Sequence, residues 1–116
     1  MLISCSSKEE SRDGDYGYNN EDHEVIVVID GDKAAIGLNG FYVGQAQGQM
    51  MLTLTENPIT IKGFFGTVDA FECSLSKYSG EAAYFFDGKV MHLYIQGTTE
   101  NLPGADKGFI PLKKVK

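Results

Sequence analysis

The sequence predicts an all-β domain: a small antiparallel up-and-down barrel or coiled meander of seven or eight strands, with a β-sandwich as the alternative. Composition is the first reason, because 14 Gly and only 3 Pro accompany 6 Tyr and 7 Phe, which favours strands joined by tight turns. The second is the recurrence of short apolar segments between turn residues. The third is glycine inside those segments, where strands can bend at barrel corners.

The first predicted strands follow from a β-branched run and two turn signals. Val25–Ile29 is continuously apolar, as in a strand that is covered on both faces. Gly31-Asp32 then predicts a turn. Residues 33–38 and 41–47 are predicted strands on either side of Asn39-Gly40, a pair that supplies the positive φ angles of a type I′ hairpin.

The middle of the chain predicts three more strands. Residues 50–55 and 59–62 alternate apolar and polar side chains, and Asn57-Pro58 is predicted to separate them. Asp69–Tyr78 is a further strand, and Ser79-Gly80 is predicted as the turn that ends it.

The last segments predict a hairpin, a loop and a final strand. Residues 82–86 and 89–96 flank Asp87-Gly88, a second type I′ signal. Thr98–Lys107 contains a Pro-Gly pair and predicts a longer loop. Gly108–Val115 is expected to close the sheet as an edge strand, because it contains a proline, which has no N–H for a central ladder.

The negative charge is concentrated at the N-terminus. Residues 1–24 hold two basic and seven acidic side chains, a net charge of −5, whereas residues 25–116 hold eight lysines and nine acids, a net charge of −1. Nucleic-acid binding needs a clustered basic surface, so we expect no nucleic-acid partner.

The first ten residues predict a lipid anchor. Leu2-Ile3-Ser4-Cys5 resembles the end of a bacterial lipoprotein signal peptide, in which the Cys thiolate takes the diacylglyceryl group. Lys8-Glu9-Glu10 shortly afterwards is similar to the export signal of Bacteroidetes surface lipoproteins. These resemblances imply lipidation at Cys5 and a protein held in the outer membrane, facing the cell exterior, with the periplasmic face as the alternative. Several acyl chains on one residue hold a protein stably at a membrane.

The segment behind Cys5 predicts a tether. Residues 6–23 are polar, acidic and almost free of aliphatic side chains, so they cannot bury enough apolar surface to become ordered. The sequence therefore divides into residues 1–23, a signal remnant and disordered acidic tether, and residues 24–116, a single all-β domain.

An alternative interpretation of the tether is a calcium-binding loop. Oxygen-bearing side chains fall at the spacing of such a loop: Asp13, Asp15, Asn19, Glu21 and Glu24. The sixth position departs from the pattern, since Tyr18 stands where a glycine is required.

One predicted strand carries a polar stripe. His92, Tyr94 and Gln96 share one face, while Met91 and Leu93 point to the other. The stripe either lines a ligand cavity or is the wetter face of the sheet.

A second resemblance involves Ser79, Gly80 and Tyr84. It is similar to the SGxxY motif of bacterial lysozyme inhibitors, which are small β-barrel lipoproteins that enter the lysozyme cleft with this element. Here the spacing is one residue longer, and a second Gly-x-x-Ala motif is not evident after Gly97. The resemblance implies inhibition of a hydrolase, or immunity to one, as an alternative function.

The remaining residues predict no chemistry. Cys73 alternates with Phe71 and Leu75 on an apolar face, which is typical of a buried structural thiol. The chain carries no nucleophile elbow, phosphate-binding loop or HExxH motif. We therefore expect a non-enzymatic binding or interaction domain without a cofactor, whose partner is a protein or small molecule of unknown identity.

Overall fold

The computed structural model describes residues 12–63 and 66–115. Within them the chain forms a closed barrel of eight antiparallel strands, in which sequence neighbours pair and β8 pairs with β1. The predicted small antiparallel barrel is confirmed. The strands are β1 Gly14–Asn19, β2 Glu24–Asp30, β3 Lys33–Asn39, β4 Gly48–Gly63, β5 Gly66–Leu75, β6 Tyr78–Asp87, β7 Val90–Ile95 and β8 Ile110–Lys114.

No helix that could cross a membrane is present in the part of the chain that the structure describes.

Strand alternation fills the barrel with apolar side chains. Every second residue points inward, so Val25, Val27 and Ile29 of β2 are buried while their neighbours on the strand are partly or fully exposed. The prediction that this strand is covered on both faces is therefore wrong, since Val28 is 40% exposed. An eight-stranded barrel is just wide enough for side chains to fill its interior. One end is covered by loops, from which Phe41 and Leu102 join the core.

A long hairpin leaves the barrel and folds across its outside. β5 pairs with β6 only between Phe71 and Leu75, so the preceding part of the β4–β5 hairpin extends beyond the barrel wall. We call residues 58–63 and 66–70 the arm. Its apolar side chains pack against outward-facing residues of the barrel in a separate cluster made of Ile59, Ile61, Val68, Ala70, Ala83, Phe85, Tyr94 and Phe109.

The first strand lies where the sequence predicted disorder. β1 pairs with β2 along its whole length and with β8 at Tyr16 and Gly17. The prediction of a disordered tether over residues 6–23 is therefore wrong for this strand, and the domain begins before residue 24. Tyr16 is only 2% exposed, so one aromatic side chain supplies burial that the polar composition of the segment conceals.

The predicted hairpin at Asn39-Gly40 is also wrong. Residues 40–47 form a loop between β3 and β4 instead of a two-residue turn followed by a strand. The backbone at Gly40 lies close to the β1–β2 turn: its φ is +92°, and a Cβ there would overlap the carbonyl oxygen of Asp22. Glycine is the residue that tolerates both conditions.

Two predicted breaks lie inside strands. β4 continues through Asn57-Pro58, and an irregularity in register between Leu54 and Pro58 absorbs the proline. Ser79-Gly80 belongs to β6, and the turn is formed by Ser76 and Lys77, because Leu75 pairs with Tyr78.

The last hairpin and the last strand differ from prediction in detail. Asp87 pairs with Val90, so the turn residues are Gly88 and Lys89. Gly88, with a φ of 64°, occupies the first central position, which is the type II′ arrangement rather than type I′. β8 is not an edge strand, because β7 pairs with one of its sides and β1 with the other. The pairing with β1 begins at Lys113, so Pro111 lies outside it.

Candidate functional site

The polar stripe of β7 lies on the outside of the barrel. Met91 and Leu93 are fully buried inside, as the alternation predicts, and His92 and Tyr94 face outward toward the arm. The His92 imidazole stacks on the ring of Phe85 at a centroid distance of 4.5 Å and an interplanar angle of 9°. Because the arm covers part of this face, Tyr94 is only 6% exposed.

A cleft of about 400 Å³ opens between the arm and the loop that joins β7 to β8, residues 96–109. Its volume is in the range of small-molecule sites in proteins. We call it the outer cleft. It is lined by Ile61, Lys62, Gly63, Tyr94, Glu100, Asn101, Lys107 and Gly108.

A buried threonine fixes the 96–109 loop on the barrel. Thr99 is fully buried, and its hydroxyl accepts a hydrogen bond from the Ile95 N–H at 2.9 Å and donates to the Gly108 carbonyl at 2.7 Å. The loop therefore has a defined position relative to β7, and so do the side chains that it contributes to the outer cleft.

Glu100 and Tyr94 form the polar wall of the outer cleft. The Gly97 N–H donates to Oε1 of Glu100 at 2.7 Å, and the Tyr94 hydroxyl donates to Oε2 at 3.4 Å. Burial, followed by the negative charges of Glu100 and Glu81, raises the pKa of Tyr94 to about 12. The phenol is thus neutral at physiological pH, and the Glu100 carboxylate, although exposed, accepts a hydrogen bond at each of its oxygens.

Glycine at position 108 lets the Tyr94 ring lie against the backbone. Gly108 has a φ of +91°, and a Cβ there would lie 3.1 Å from Cδ1 of Tyr94. Any other residue would meet both a strained backbone and the aromatic ring.

Lys107 stands in a strained backbone conformation at the mouth of the outer cleft. Its φ is 56°, and among the described residues it is the single non-glycine with a positive φ. Asp106 and Phe109 exchange backbone hydrogen bonds of 2.8 and 3.0 Å, so Lys107 and Gly108 are the central residues of a tight turn. Such turns favour Asn-Gly, and lysine is a costly choice there.

The lysines of the outer cleft come from both of its walls. Lys62 is exposed near the end of β4, and Lys107 belongs to the opposite loop, close to the arm at Gly66. Neither ammonium group forms an ion pair with any residue in the described ranges. Among the described residues, Glu100 is the one acid that lines this cleft. Lys107 also lines an adjoining groove of about 320 Å³, to which Asp87, Asp106 and His92 contribute.

A second exposed feature is the 40–47 loop. The side chains of Tyr42 and Val43 are 74% and 104% exposed. The Tyr42 N–H donates to Oε1 of Gln45 at 2.8 Å, and the Gln45 side-chain amide donates to the Gly97 carbonyl at 3.2 Å. The loop is therefore held in a fixed shape and connected to the loop that lines the outer cleft.

The structure does not assemble the lysozyme-inhibitor motif. Ser79 and Gly80 lie within a strand rather than a loop. Tyr84 points into the barrel, where it is 3% exposed and its hydroxyl donates to the Thr55 carbonyl at 2.6 Å. A side chain held in the core cannot enter an enzyme's cleft, so Tyr84 does not have the placement that the resemblance implies, and inhibition of a hydrolase stays a prediction. Gln96 likewise serves the barrel, since its Oε1 accepts from the Glu81 N–H at 3.2 Å.

The calcium-loop interpretation is contradicted by the geometry of β1. Asp15 and Asn19 belong to an extended strand, and Asp13 precedes it, with its Oδ1 accepting from the Gly31 N–H at 2.8 Å. An extended strand does not wrap around an ion as a calcium-binding loop does, and no group of three or more His, Cys, Asp or Glu side chains in the described residues is placed to hold a metal ion. Glu21 and Glu24 lie beyond the strand, in the turn and on β2.

Of the two cysteines, only Cys73 lies within the described residues. Cys5 lies outside the described residues, so its lipidation stays a prediction. Cys73 is 4% exposed on the inward face of β5, as predicted. Burial, together with the charge of Glu72, raises the pKa of the Cys73 thiol to about 12, which keeps it protonated and weakly nucleophilic.

Of the residues that line the outer cleft, the sequence interpretation named Tyr94 and missed the other four polar side chains: Lys62, Glu100, Asn101 and Lys107. The tight turn at Lys107-Gly108, in which a lysine has a positive φ, is the local feature that distinguishes this part of the chain. Comparison with protein-family models, with curated proteins and with solved structures found no significant match to this chain.

Proposed function

We propose that this chain is a lipoprotein displayed on an outer membrane, anchored through Cys5, whose barrel is a non-enzymatic binding domain. The outer cleft is the binding site. The observation that carries this choice of site is a cleft of small-ligand size, lined by apolar side chains and by two lysines that form no ion pair within the described residues.

The interior of the barrel supports this choice of site. Apolar side chains fill it, and buried hydroxyls such as that of Thr99 have partners within the protein. Among the described residues no buried side-chain nitrogen or oxygen lacks a hydrogen-bond partner. A ligand is therefore better accommodated against the outer wall than inside.

Strand directions support display away from the membrane. β1 begins at Gly14, at the end of the barrel that holds the Gly31-Asp32 and Gly88-Lys89 turns. The 40–47 and 96–109 loops join strands at the opposite end. An anchor at Cys5 would thus leave the two largest loops on the far side of the barrel.

Metabolic labelling tests the anchor. The chain, expressed behind a lipoprotein secretion signal in a Gram-negative host, should incorporate palmitate, and Cys5→Ala should abolish the label. Cys73→Ala is the matched control and should keep it, since Cys73 is buried in the folded barrel. Label that persists in Cys5→Ala, or that is lost only in Cys73→Ala, would reject Cys5 as the attachment site.

A further inference from the structure

We propose that the outer cleft binds an anionic group, a carboxylate or a phosphate, which Lys62 and Lys107 hold from opposite walls while the rest of the ligand lies on Tyr94 and Ile61. The inference rests on the proposed binding function of the same cleft and names the chemistry of its ligand.

The charge of the outer cleft differs from that of the chain. The protein carries a formal net charge of −6, yet two lysines and one acid line this cleft. The Glu100 carboxylate already accepts from the Gly97 N–H and the Tyr94 hydroxyl. An incoming anion therefore meets two lysines without ion-pair partners in the described residues and one exposed carboxylate, so that positive charge exceeds negative charge in the lining.

The position of Lys107 is a second, independent observation. A lysine with a φ of 56° is disfavoured where asparagine or glycine would fit the turn. Residues in strained conformations cluster at binding sites, where the function of the side chain offsets the energetic cost of the strain. Here the strained position places a cation at the mouth of the outer cleft, close to the arm.

The floor of the outer cleft limits the rest of the ligand. Tyr94 and Ile61 belong to the apolar cluster beneath the arm, and Asn101 adds an amide at the edge. A volume of about 400 Å³ accommodates one sugar-sized ring with its anionic substituent. The ligand we infer is a small molecule or terminal group with a ring of this size and one negatively charged substituent.

Matched probes test the inference. Glucuronate and glucose 6-phosphate carry the anion on the same ring that glucose presents without charge. We expect both anions to shift the amide resonances of the outer cleft in a heteronuclear NMR titration, and glucose to bind at least about fivefold more weakly. The affinity for the anions should fall as salt is added.

Variants assign the effect to the two lysines. Lys62→Gln and Lys107→Gln should each weaken binding of the anions by about fivefold. Lys77→Gln and Lys89→Gln, which alter turn lysines outside the cleft, should leave it unchanged. Thermal melts of all four variants check that each is folded.

The outcomes separate the inference from the proposed function. Equal binding of glucose and the anions would overturn the anion site while leaving the binding cleft in place. Cleft resonances that respond to no probe would overturn both, whereas the lipid anchor is judged by labelling alone. Cosedimentation with phosphatidylglycerol vesicles that glucose 6-phosphate displaces would assign the anion to a lipid headgroup, and absence of cosedimentation would assign it to a soluble ligand.

Discussion

The inside of the barrel and the outer cleft use their residues in opposite ways. Inside, side chains such as Leu93 and Ile36 are almost or fully buried and apolar. In the outer cleft, lysines lack ion-pair partners among the described residues, and one of them occupies a strained turn. The stability of the fold explains why each interior position is apolar, but it does not explain why position 107 is a lysine.

The difference has a structural cause. The barrel wall closes on itself, so each of its strands has hydrogen-bonded neighbours on both sides. The arm beyond Phe71 is attached by one small apolar cluster and by its own hairpin pairing. A cleft bounded by the arm can therefore widen without disturbing the barrel, and such weakly attached elements are typical of ligand-binding regions.

Two alanine substitutions compare the stability of the barrel interior with that of the arm. Leu93→Ala inside the barrel should lower the free energy of unfolding by about 2–5 kcal/mol, because it leaves a cavity in a closed core. Ile61→Ala in the arm should cost about 1–2 kcal/mol, because the arm can detach locally. Urea unfolding gives both values. Hydrogen exchange should show faster opening of residues 58–63 in Ile61→Ala alone; equal costs, with arm and barrel opening together, would show that the arm is part of the core.

Cys73 tests the interior alone. Cys73→Ser should lower the free energy of unfolding by about 1–3 kcal/mol, because it buries a hydroxyl among apolar groups. Cys73→Ala should cost less, since it removes one sulfur and adds no polar atom.

The Cys73 thiol also gives the stability a dependence on pH. Its folded pKa of about 12 lies above the ordinary value of 9.0, so its contribution is complete below pH 9 and is lost as pH rises toward 12, where the unfolded chain loses the proton first. The thiol should react with a labelling reagent only after denaturation. Rapid labelling of the native protein would contradict a buried structural role.

The barrel could be predicted because it depends on local patterns. Alternation identified the inward residues of β7, and Gly31-Asp32 gave its turn correctly. β1 escaped prediction because its burial comes from Tyr16 rather than an aliphatic run, and because one of its two edges pairs with the distant β8.

The candidate site could not be predicted in the same way. Its lysines are 45 positions apart in the chain, and they line one cleft because β4 passes through Pro58 and the arm folds back across the barrel. A proline normally predicts a strand end, so the sequence predicted two short strands, 50–55 and 59–62, where β4 is continuous. The predicted polar stripe at His92 and Tyr94 lies on the face of β7 that borders the outer cleft and the adjoining groove.

Measuring stability and ligand binding in Lys107→Asn tests the central claim most directly, because at this residue the two properties favour different side chains. Asparagine suits the turn, so the free energy of unfolding should rise by about 0.5–1 kcal/mol. Binding of glucuronate should weaken, because the cation is lost, and Lys107→Arg should retain binding without the gain in stability. Both quantities come from thermal melts with and without the ligand. A Lys107→Asn protein that is more stable and binds less is the predicted result; one that binds as well as the original chain would contradict the assignment of the outer cleft as an anion site.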